Sequence, residues 1–171
     1  MRVGGPGITV QIDESVVYRA KHHRGHALYR PPQWVLGIYD VEQKKGLTLV
    51  IPNRKSSTLM PLINRHVLHG TEIHTDMWRG YLPLSQTPFP LTYVHKVVNH
   101  SRFFLDTITG VHTNNVEAYW SSVKKKLKSM NGSRRTLISS YLYEHMYRQH
   151  YFLDDADNMA IFMRDFAQYH Q

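Results

Sequence analysis

The chain contains no cysteine among its 171 residues. Without cysteine it is not a disulfide-stabilised scaffold, a zinc ribbon or an iron–sulfur protein, and it has no thiol nucleophile. A chain of this length buries enough apolar surface to fold without such cross-links. Its length and its 42% content of hydrophobic residues predict one globular domain.

Long apolar runs are also missing from the chain. No segment approaches the roughly 20 consecutive apolar residues of a membrane span. Residues 1–7 lack the hydrophobic region of a signal peptide and are rich in Gly and Pro, so we expect them to form a flexible leader. These absences predict a soluble intracellular protein without a membrane partner.

Acidic residues are scarce relative to basic ones. The 13 Asp and Glu residues stand against 21 Lys and Arg, which gives a formal net charge of +8. The basic residues are concentrated in two stretches, 19–30, which has no acid, and 121–150, where Glu144 is the one acid. Two basic stretches far apart in the chain can form the walls of one groove for nucleic acid, the commonest polyanion. A basic protein without such a partner is the alternative.

Hydrophobic periodicity predicts five strands and four helices. The expected strands are 8–18, 34–41, 46–51, 71–75 and 91–98. The expected helices begin at Ser56 or Ser57, at 116 after a cap by Asn114 or Asn115, at Ser133 and at Asp154. A meander of three strands followed by alternating elements fits an α/β ribonuclease-H-like fold, a mixed five-stranded sheet flanked by helices.

Three acidic residues occupy unusual places in this pattern. Asp13 lies inside an apolar strand, Asp76 ends the fourth strand, and Glu117 lies in the first turn of a helix. If the first and fourth strands are neighbours, Asp13 and Asp76 face each other across about one strand spacing of ~5 Å, and Glu117 reaches in from the side. Such carboxylates repel one another unless cations balance them, and Mg²⁺ or Mn²⁺ suits their hard oxygen atoms. Two such ions can cleave a phosphodiester.

Each of these acids also has a purely structural interpretation. Asp13 could satisfy a turn, Asp76 could close an Asx turn, and Glu117 suits the positive end of its helix. The joint arrangement of the three residues is what favours catalysis. Glu14 follows Asp13 directly and therefore points to the other face of the strand, away from this site.

The helix that carries Glu117 also carries a cationic face. Lys124 lies seven residues after Glu117, about two turns or ~10 Å along the helix, and Lys128 shares that face. Lys125 extends the basic surface. One helix would thus present a metal ligand and a phosphate-binding cation.

Several motifs, taken in order, resemble the catalytic domain of Merlin-type transposases and their bacterial insertion-sequence relatives, within the group of DDE transposases and retroviral integrases. The resemblance covers about residues 8–150. The motifs are IDES (12–15), RGH (24–26), WVLGIYD (34–40), IPNRKSSTLMPLI (51–63), HTDMWRGY (74–81), VNHSRFF (98–104) and TGVHTNNVEAYWSSVKKKLK (109–128).

The resemblance implies a retroviral-integrase-like, ribonuclease-H-like fold and a mechanism with two Mg²⁺ or Mn²⁺ ions. It assigns both catalysis and metal binding to Asp13, Asp76 and Glu117, and Lys124 falls where the group commonly carries a Lys or Arg. The implied activity is hydrolysis at transposon terminal inverted repeats, followed by attack of the 3′-hydroxyl on target DNA. The implied assembly is a dimer or larger complex on DNA. We expect the protein to be located with DNA inside the cell, in the nucleus if it is eukaryotic or in the cytoplasm and nucleoid if it is bacterial.

Residues on both basic stretches and beside the acids are expected to contact DNA. They are Lys21, His22, Arg24, Trp78, Arg79, His112, Asn115, Lys124, Lys125 and Lys128.

The relatives usually have an N-terminal DNA-binding region, whereas this chain starts almost at its first strand. We therefore expect a catalytic-core fragment or a shortened derivative, with a leader over 1–7, the catalytic domain over 8–152, and a helix within 153–171 that packs on the domain or on a dimer partner. The sequence leaves two alternatives open: a domesticated DNA-binding derivative without catalysis, and a ribonuclease-H-like or resolvase-like nuclease.

Overall fold

A computed structural model describes residues 1–18, 31–86, 92–98, 110–130, 134–151 and 158–169 of the chain. The elements within these ranges follow the order expected from the periodicity. They are β1 (Thr9–Tyr18), β2 (Gln33–Asp40), β3 (Lys45–Ile51), α1 (Ser56–His66), β4 (Glu72–Asp76), a 3₁₀-helix (Arg79–Gln86), β5 (Val94–Val98), α2 (Asn114–Ser129), a short 3₁₀-turn (Arg135–Leu137), α3 (Ile138–Tyr151) and α4 (Asn158–Tyr169).

The five strands form one mixed sheet in the spatial order β3-β2-β1-β4-β5. The first three strands pair in antiparallel fashion, whereas β4 is parallel to β1 and β5 is parallel to β4. A parallel neighbour requires a crossover connection, and α1 provides it between β3 and β4. This topology makes β1 and β4 adjacent, which is the condition on which the predicted site depends.

Apolar side chains cover both faces of the sheet because successive residues of a strand point to opposite sides. On β2, Leu36 and Ile38 belong to one buried cluster that includes Leu59 of α1. Val35 belongs to a second cluster, with Trp120 of α2 among its members. The α1 face and the α2 face of the sheet are therefore distinct layers. No described helix is long and apolar enough to cross a membrane.

Residues 1–7, expected to be a flexible leader, are packed against the domain. Val3 is buried and bridges to Val67, and its backbone N–H donates to the His66 carbonyl at 2.9 Å. The next amide, that of Gly4, donates to Asp40 Oδ2 at 3.0 Å. A buried carboxylate that accepts a backbone amide fixes a segment that is otherwise rich in Gly, and this contact is not apparent from local composition.

The start of α1 differs from the expected serine cap. Lys55 occupies the N-cap position, and its side chain makes no capping hydrogen bond to the helix. Asn53 instead organises the turn before the helix, since its Oδ1 accepts the Lys55 N–H at 3.0 Å and the Thr58 hydroxyl at 2.9 Å. The Asn lies just outside the helix, where Asn and Asp side chains commonly organise a turn.

Candidate active site

Asp13 and Asp76 lie at corresponding places on neighbouring parallel strands. Gln11 of β1 is in register with His74 of β4, and each aspartate follows two residues later along its own strand. Both aspartates are half-buried. The strand order thus brings together two acids that are 63 positions apart in the sequence.

Asp13 points to the α2 face of the sheet, where Trp120 holds it. The indole Nε1 of Trp120 donates to Asp13 Oδ2 at 3.0 Å. Gly37 is the β2 partner of Asp13, and a Cβ at that position would lie 2.6 Å from the Trp120 ring. The absence of a side chain at residue 37 therefore lets the indole reach the strand and orient the carboxylate.

The surroundings of Asp13 raise its pKa to about 6. Burial is the largest cause, the negative charge of Asp76 is the next cause that raises it, and the charge of Glu117 adds to it. Hydrogen bonds from the Glu14 amide and from Trp120 act in the opposite direction. Asp76 and Glu117 therefore both lie within electrostatic range of Asp13, and a cation beside Asp13 would favour its ionised form.

Asp76 also makes the turn that its sequence context indicated. Its Oδ1 accepts the backbone N–H of Trp78 at 3.0 Å. This bond fixes the carboxylate at the end of β4, so that the structural and the catalytic interpretations of Asp76 describe the same geometry. The second carboxylate oxygen is the one suited to a ligand.

Glu117 is exposed in the first turn of α2, and Thr113 Oγ1 donates to its Oε1 at 3.1 Å. The expected cap by Asn114 or Asn115 was wrong, because α2 begins at Asn114 and Thr113 occupies the cap position. Thr113 is buried and its hydroxyl is directed to Glu117 instead of to the backbone. The cap residue Thr113 therefore orients the Glu117 carboxylate through its hydroxyl group.

The amide groups at the start of α2 are bound by a side chain from β1 that the sequence reading missed. Gln11 is buried, and its Oε1 accepts the N–H groups of Asn115 at 2.9 Å and Val116 at 3.0 Å. Its Nε2 lies 3.2 Å from Nδ1 of His112, which also accepts the Asn114 N–H at 3.3 Å. One residue, two positions before Asp13, thus ties β1 to the helix of Glu117. The available signal was its place on the same strand face as Asp13.

Glu14 lies on the α1 face, as the alternation predicted, yet it is a second buried acid beside the site. Burial raises its pKa to about 7, and the nearby charges of Asp13 and Asp76 add to the effect. The Tyr81 hydroxyl and Arg54 lower it, although neither Glu14 Oε1 nor the Tyr81 hydroxyl makes a hydrogen bond of regular geometry. The sequence did not indicate this environment, because alternation along a strand predicts which way a side chain points but not how deeply it is buried.

The residues expected to contact DNA fall into three sets in the structure. Lys124, Lys125 and Lys128 are exposed on α2, and Trp78 and Arg79 are exposed directly after Asp76. His112 and Asn115 take part in the internal contacts with Gln11. Lys21, His22 and Arg24 lie outside the described residues.

The chemistry of the three acids suits a hard divalent cation, because each offers carboxylate oxygens and their charges oppose one another. Among the described parts of the chain, no three His, Asp or Glu side chains stand close enough together to form a metal-binding group. The half-buried aspartates come from the rigid sheet, whereas exposed Glu117 comes from a helix. Shared coordination by all three remains a prediction.

Comparison with known proteins identifies the family. The model of the ISXO2-like transposase domain matches residues 4–150. This chain is an ISXO2-like transposase domain. It is also 31% identical, over 100 residues, to an uncharacterised transposase-like protein of Haemophilus influenzae, a match that covers 58% of this chain and 76% of the relative. The resemblance to insertion-sequence DDE transposases is confirmed.

Solved structures similar to this transposase domain include retroviral integrase catalytic cores. The catalytic core domain of BIV integrase matches with a TM-score of 0.55 at 13% identity, over 95% of this chain and 98% of that one. The HTLV-2 integrase catalytic core in complex with magnesium gives 0.50 at 13% identity, over 92% and 94%. A chain of a simian T-cell lymphotropic virus intasome matches with a TM-score of 0.52 at 16% identity. The match covers 84% of this chain but only 49% of the intasome chain. These likenesses establish the ribonuclease-H-like fold.

Proposed function

We propose that this domain is the catalytic core of a DNA transposase that hydrolyses phosphodiester bonds at transposon ends and joins the freed 3′-hydroxyl to target DNA. The observation that carries the proposal is the position of Asp13 and Asp76 on adjacent parallel strands, in an ISXO2-like domain, with Glu117 within electrostatic range. The sheet topology is the reason these acids are neighbours.

The three carboxylates would hold two Mg²⁺ or Mn²⁺ ions. Such a pair supplies activation of the attacking oxygen and stabilisation of the leaving oxygen. The protein's own residues supply orientation: Trp120 holds Asp13, the Trp78 amide holds Asp76, and Thr113 holds Glu117. Orientation of this kind reduces the rearrangement needed when the ions and DNA bind.

The basic surface of α2 would bind the DNA backbone beside these acids. Lys124 and Lys128 are exposed on the helix that begins near Glu117. Their charges compensate phosphates, while the acids lie toward the sheet. The magnesium complex of one integrase neighbour and the intasome assembly of another support, by analogy, a metal-dependent core that acts in a dimer or larger complex on terminal inverted repeats.

The test is strand transfer by purified protein with Mn²⁺ or Mg²⁺, using labelled pre-nicked transposon-end DNA and a plasmid target. Asp76→Asn should lower product formation by about 10³-fold, because it removes a charged ligand while keeping the shape of the side chain. Asp165→Asn is the matched control: that residue of α4 bonds Tyr147 and lies outside the proposed site.

Equal product from wild type and Asp76→Asn would show that this site does not perform the reaction. A purely DNA-binding derivative would bind duplex DNA and yield no product with either metal. A ribonuclease-H-like or resolvase-like nuclease would instead prefer an RNA–DNA hybrid or a branched junction over linear ends.

A further inference from the structure

The guanidinium of Arg54, in the loop between β3 and α1, lies over two tryptophan rings. Its guanidinium carbon lies 4.1 Å from the ring centroid of Trp34 and 4.3 Å from that of Trp78. Such cation–π contacts are favourable even near the surface, and two of them restrain the guanidinium. The Arg54 side chain is therefore more restricted than a surface cation without such contacts.

The edge of the guanidinium plane is not engaged by any described residue. Within the described ranges, the guanidinium donates no hydrogen bond and forms no ion pair, while the backbone carbonyl of Arg54 accepts the Trp78 indole N–H at 3.1 Å. A guanidinium offers up to five N–H donors in a fork that matches two oxygens of a phosphate. The side-chain N–H donors of Arg54 therefore have no partner among the described residues.

Arg54 opens onto a surface pocket of about 440 Å³. Three of its lining side chains are cationic and none is acidic; the lining consists of Arg54, Lys55, Ser56, Trp78, Arg79 and Gly80. Gly80 is required for this close arrangement, since a Cβ there would lie 2.7 Å from Trp78 Nε1 and 2.9 Å from the Arg54 carbonyl. The pocket therefore suits a small anionic group with several oxygens.

The pocket adjoins the proposed active site. Trp78, which stacks on Arg54, donates its amide N–H to Asp76. Arg54 also lowers the pKa of Glu14, the neighbour of Asp13, through its charge. The pocket is therefore connected to the proposed acids through Trp78.

We propose that this pocket binds a backbone phosphate of the DNA next to the bond that is cut, with the Arg54 fork as its anchor and Lys55 and Ser56 as further donors. The inference rests on the proposed function and deepens it by assigning a phosphate position on the α1 side of the acids. The cations of α2 lie on the opposite face of the sheet, so the two sets would hold the DNA from two sides.

The first experiment measures duplex DNA binding by fluorescence anisotropy at several salt concentrations, without divalent metal. Arg54→Ala should weaken binding about tenfold, as expected for loss of a charge-assisted contact. It should also lower the slope of log affinity against log salt by about 0.9, the value for one phosphate. Arg54→Lys should keep the slope and recover part of the affinity. Arg65→Ala, an exposed cation at the other end of α1, should match wild type.

An unchanged slope for folded Arg54→Ala, or an equal drop for Arg65→Ala, would overturn the phosphate site. Stabilisation of the wild type by inorganic phosphate together with wild-type DNA binding by Arg54→Ala would overturn its assignment to DNA. These binding measurements contain no metal, so they are independent of the strand-transfer test. Failure of the phosphate site would not contradict strand transfer, and failure of strand transfer would not change the binding result. Absence of any duplex binding by wild type would overturn both proposals.

The second experiment uses the absence of cysteine in the chain. Lys55→Cys places a single thiol at the exposed rim of the pocket, and Arg65→Cys places one far along α1. DNA that carries a thiol tether on one backbone phosphate should form a disulfide with Lys55→Cys at least tenfold more efficiently than with Arg65→Cys. Equal yields would contradict the proposal, and this comparison leaves the Arg54 stack intact.

Discussion

The two neighbouring acids of β1 are both partly withdrawn from water, but they face different layers. Asp13 faces α2, accepts the Trp120 indole N–H and has Asp76 and Glu117 near it. Glu14 faces the α1 layer beside the buried Tyr81. Burial is the first cause of the raised pKa in both residues. The charges of both Asp76 and Glu117 act on Asp13, which we propose as a cation ligand, whereas Glu14 lies beside the Tyr81 hydroxyl and reaches neutrality by taking up a proton.

The largest expected difference between the two acids is in metal-dependent stability. Mn²⁺ at a hundredfold excess over Kd should stabilise the wild type by about 2.7 kcal/mol, which is roughly 5–10 °C in Tm for a domain of this size. Asp13→Asn should lose most of this increase because a ligand is removed. Glu14→Gln should retain it, since Glu14 points to the other face. Thermal melting with and without Mn²⁺ measures the effect, and equal responses of the two variants would remove the distinction.

A second prediction concerns the link between β1 and α2. Gln11→Met preserves the length of the side chain but leaves the Asn115 and Val116 amides without their acceptor, and we expect a loss of about 1–3 kcal/mol in the free energy of unfolding. Gln11→Glu keeps the acceptor oxygens and should restore much of it. Urea unfolding gives the energies.

If Gln11 also positions Glu117, Gln11→Met should reduce the Mn²⁺-induced rise in Tm, measured relative to its own metal-free value. A Gln11→Met protein that is less stable but gains as much from Mn²⁺ as wild type does would restrict Gln11 to a structural role.

A third prediction concerns the pH dependence of stability without metal. The pKa of Glu14 rises from 4.5 to about 7 on folding. The folded protein therefore holds this proton more tightly than the unfolded chain, so its contribution to stability is full below pH 4.5 and is lost as the pH rises through about 7. Glu14→Gln should melt at a higher temperature than wild type at pH 8 and at a similar one at pH 4.

Each tenfold difference in proton affinity is worth about 1.4 kcal/mol, so the melting temperatures of wild type and Glu14→Gln at pH 8 should differ by several degrees. Melting curves between pH 4 and pH 8 in the presence of a chelator test this prediction. A wild type that is as stable as Glu14→Gln at pH 8 would mean that Glu14 carries its charge there without cost.

The predictable part of this domain is its local pattern. Alternation along β1 predicted that Asp13 and Glu14 face opposite sides, and the period change after β3 predicted the crossover helix that makes β4 parallel to β1. The contacts at the helix starts were less predictable. Asn53 and Thr113 bond to side chains, and Gln11 reaches the start of α2 from a distant strand. Several residues could serve each helix start, and packing decides among them.

By itself, the sequence determined the order of the elements, the family motifs and the three acids as a candidate set, since all of these depend on residue type and spacing along one chain. Only the tertiary structure decided that Gln11 binds the start of α2 and that the Arg54 guanidinium lies over two tryptophan rings. Those contacts join residues far apart in sequence, and their partners become defined only when sheet, helix and loop are placed in three dimensions.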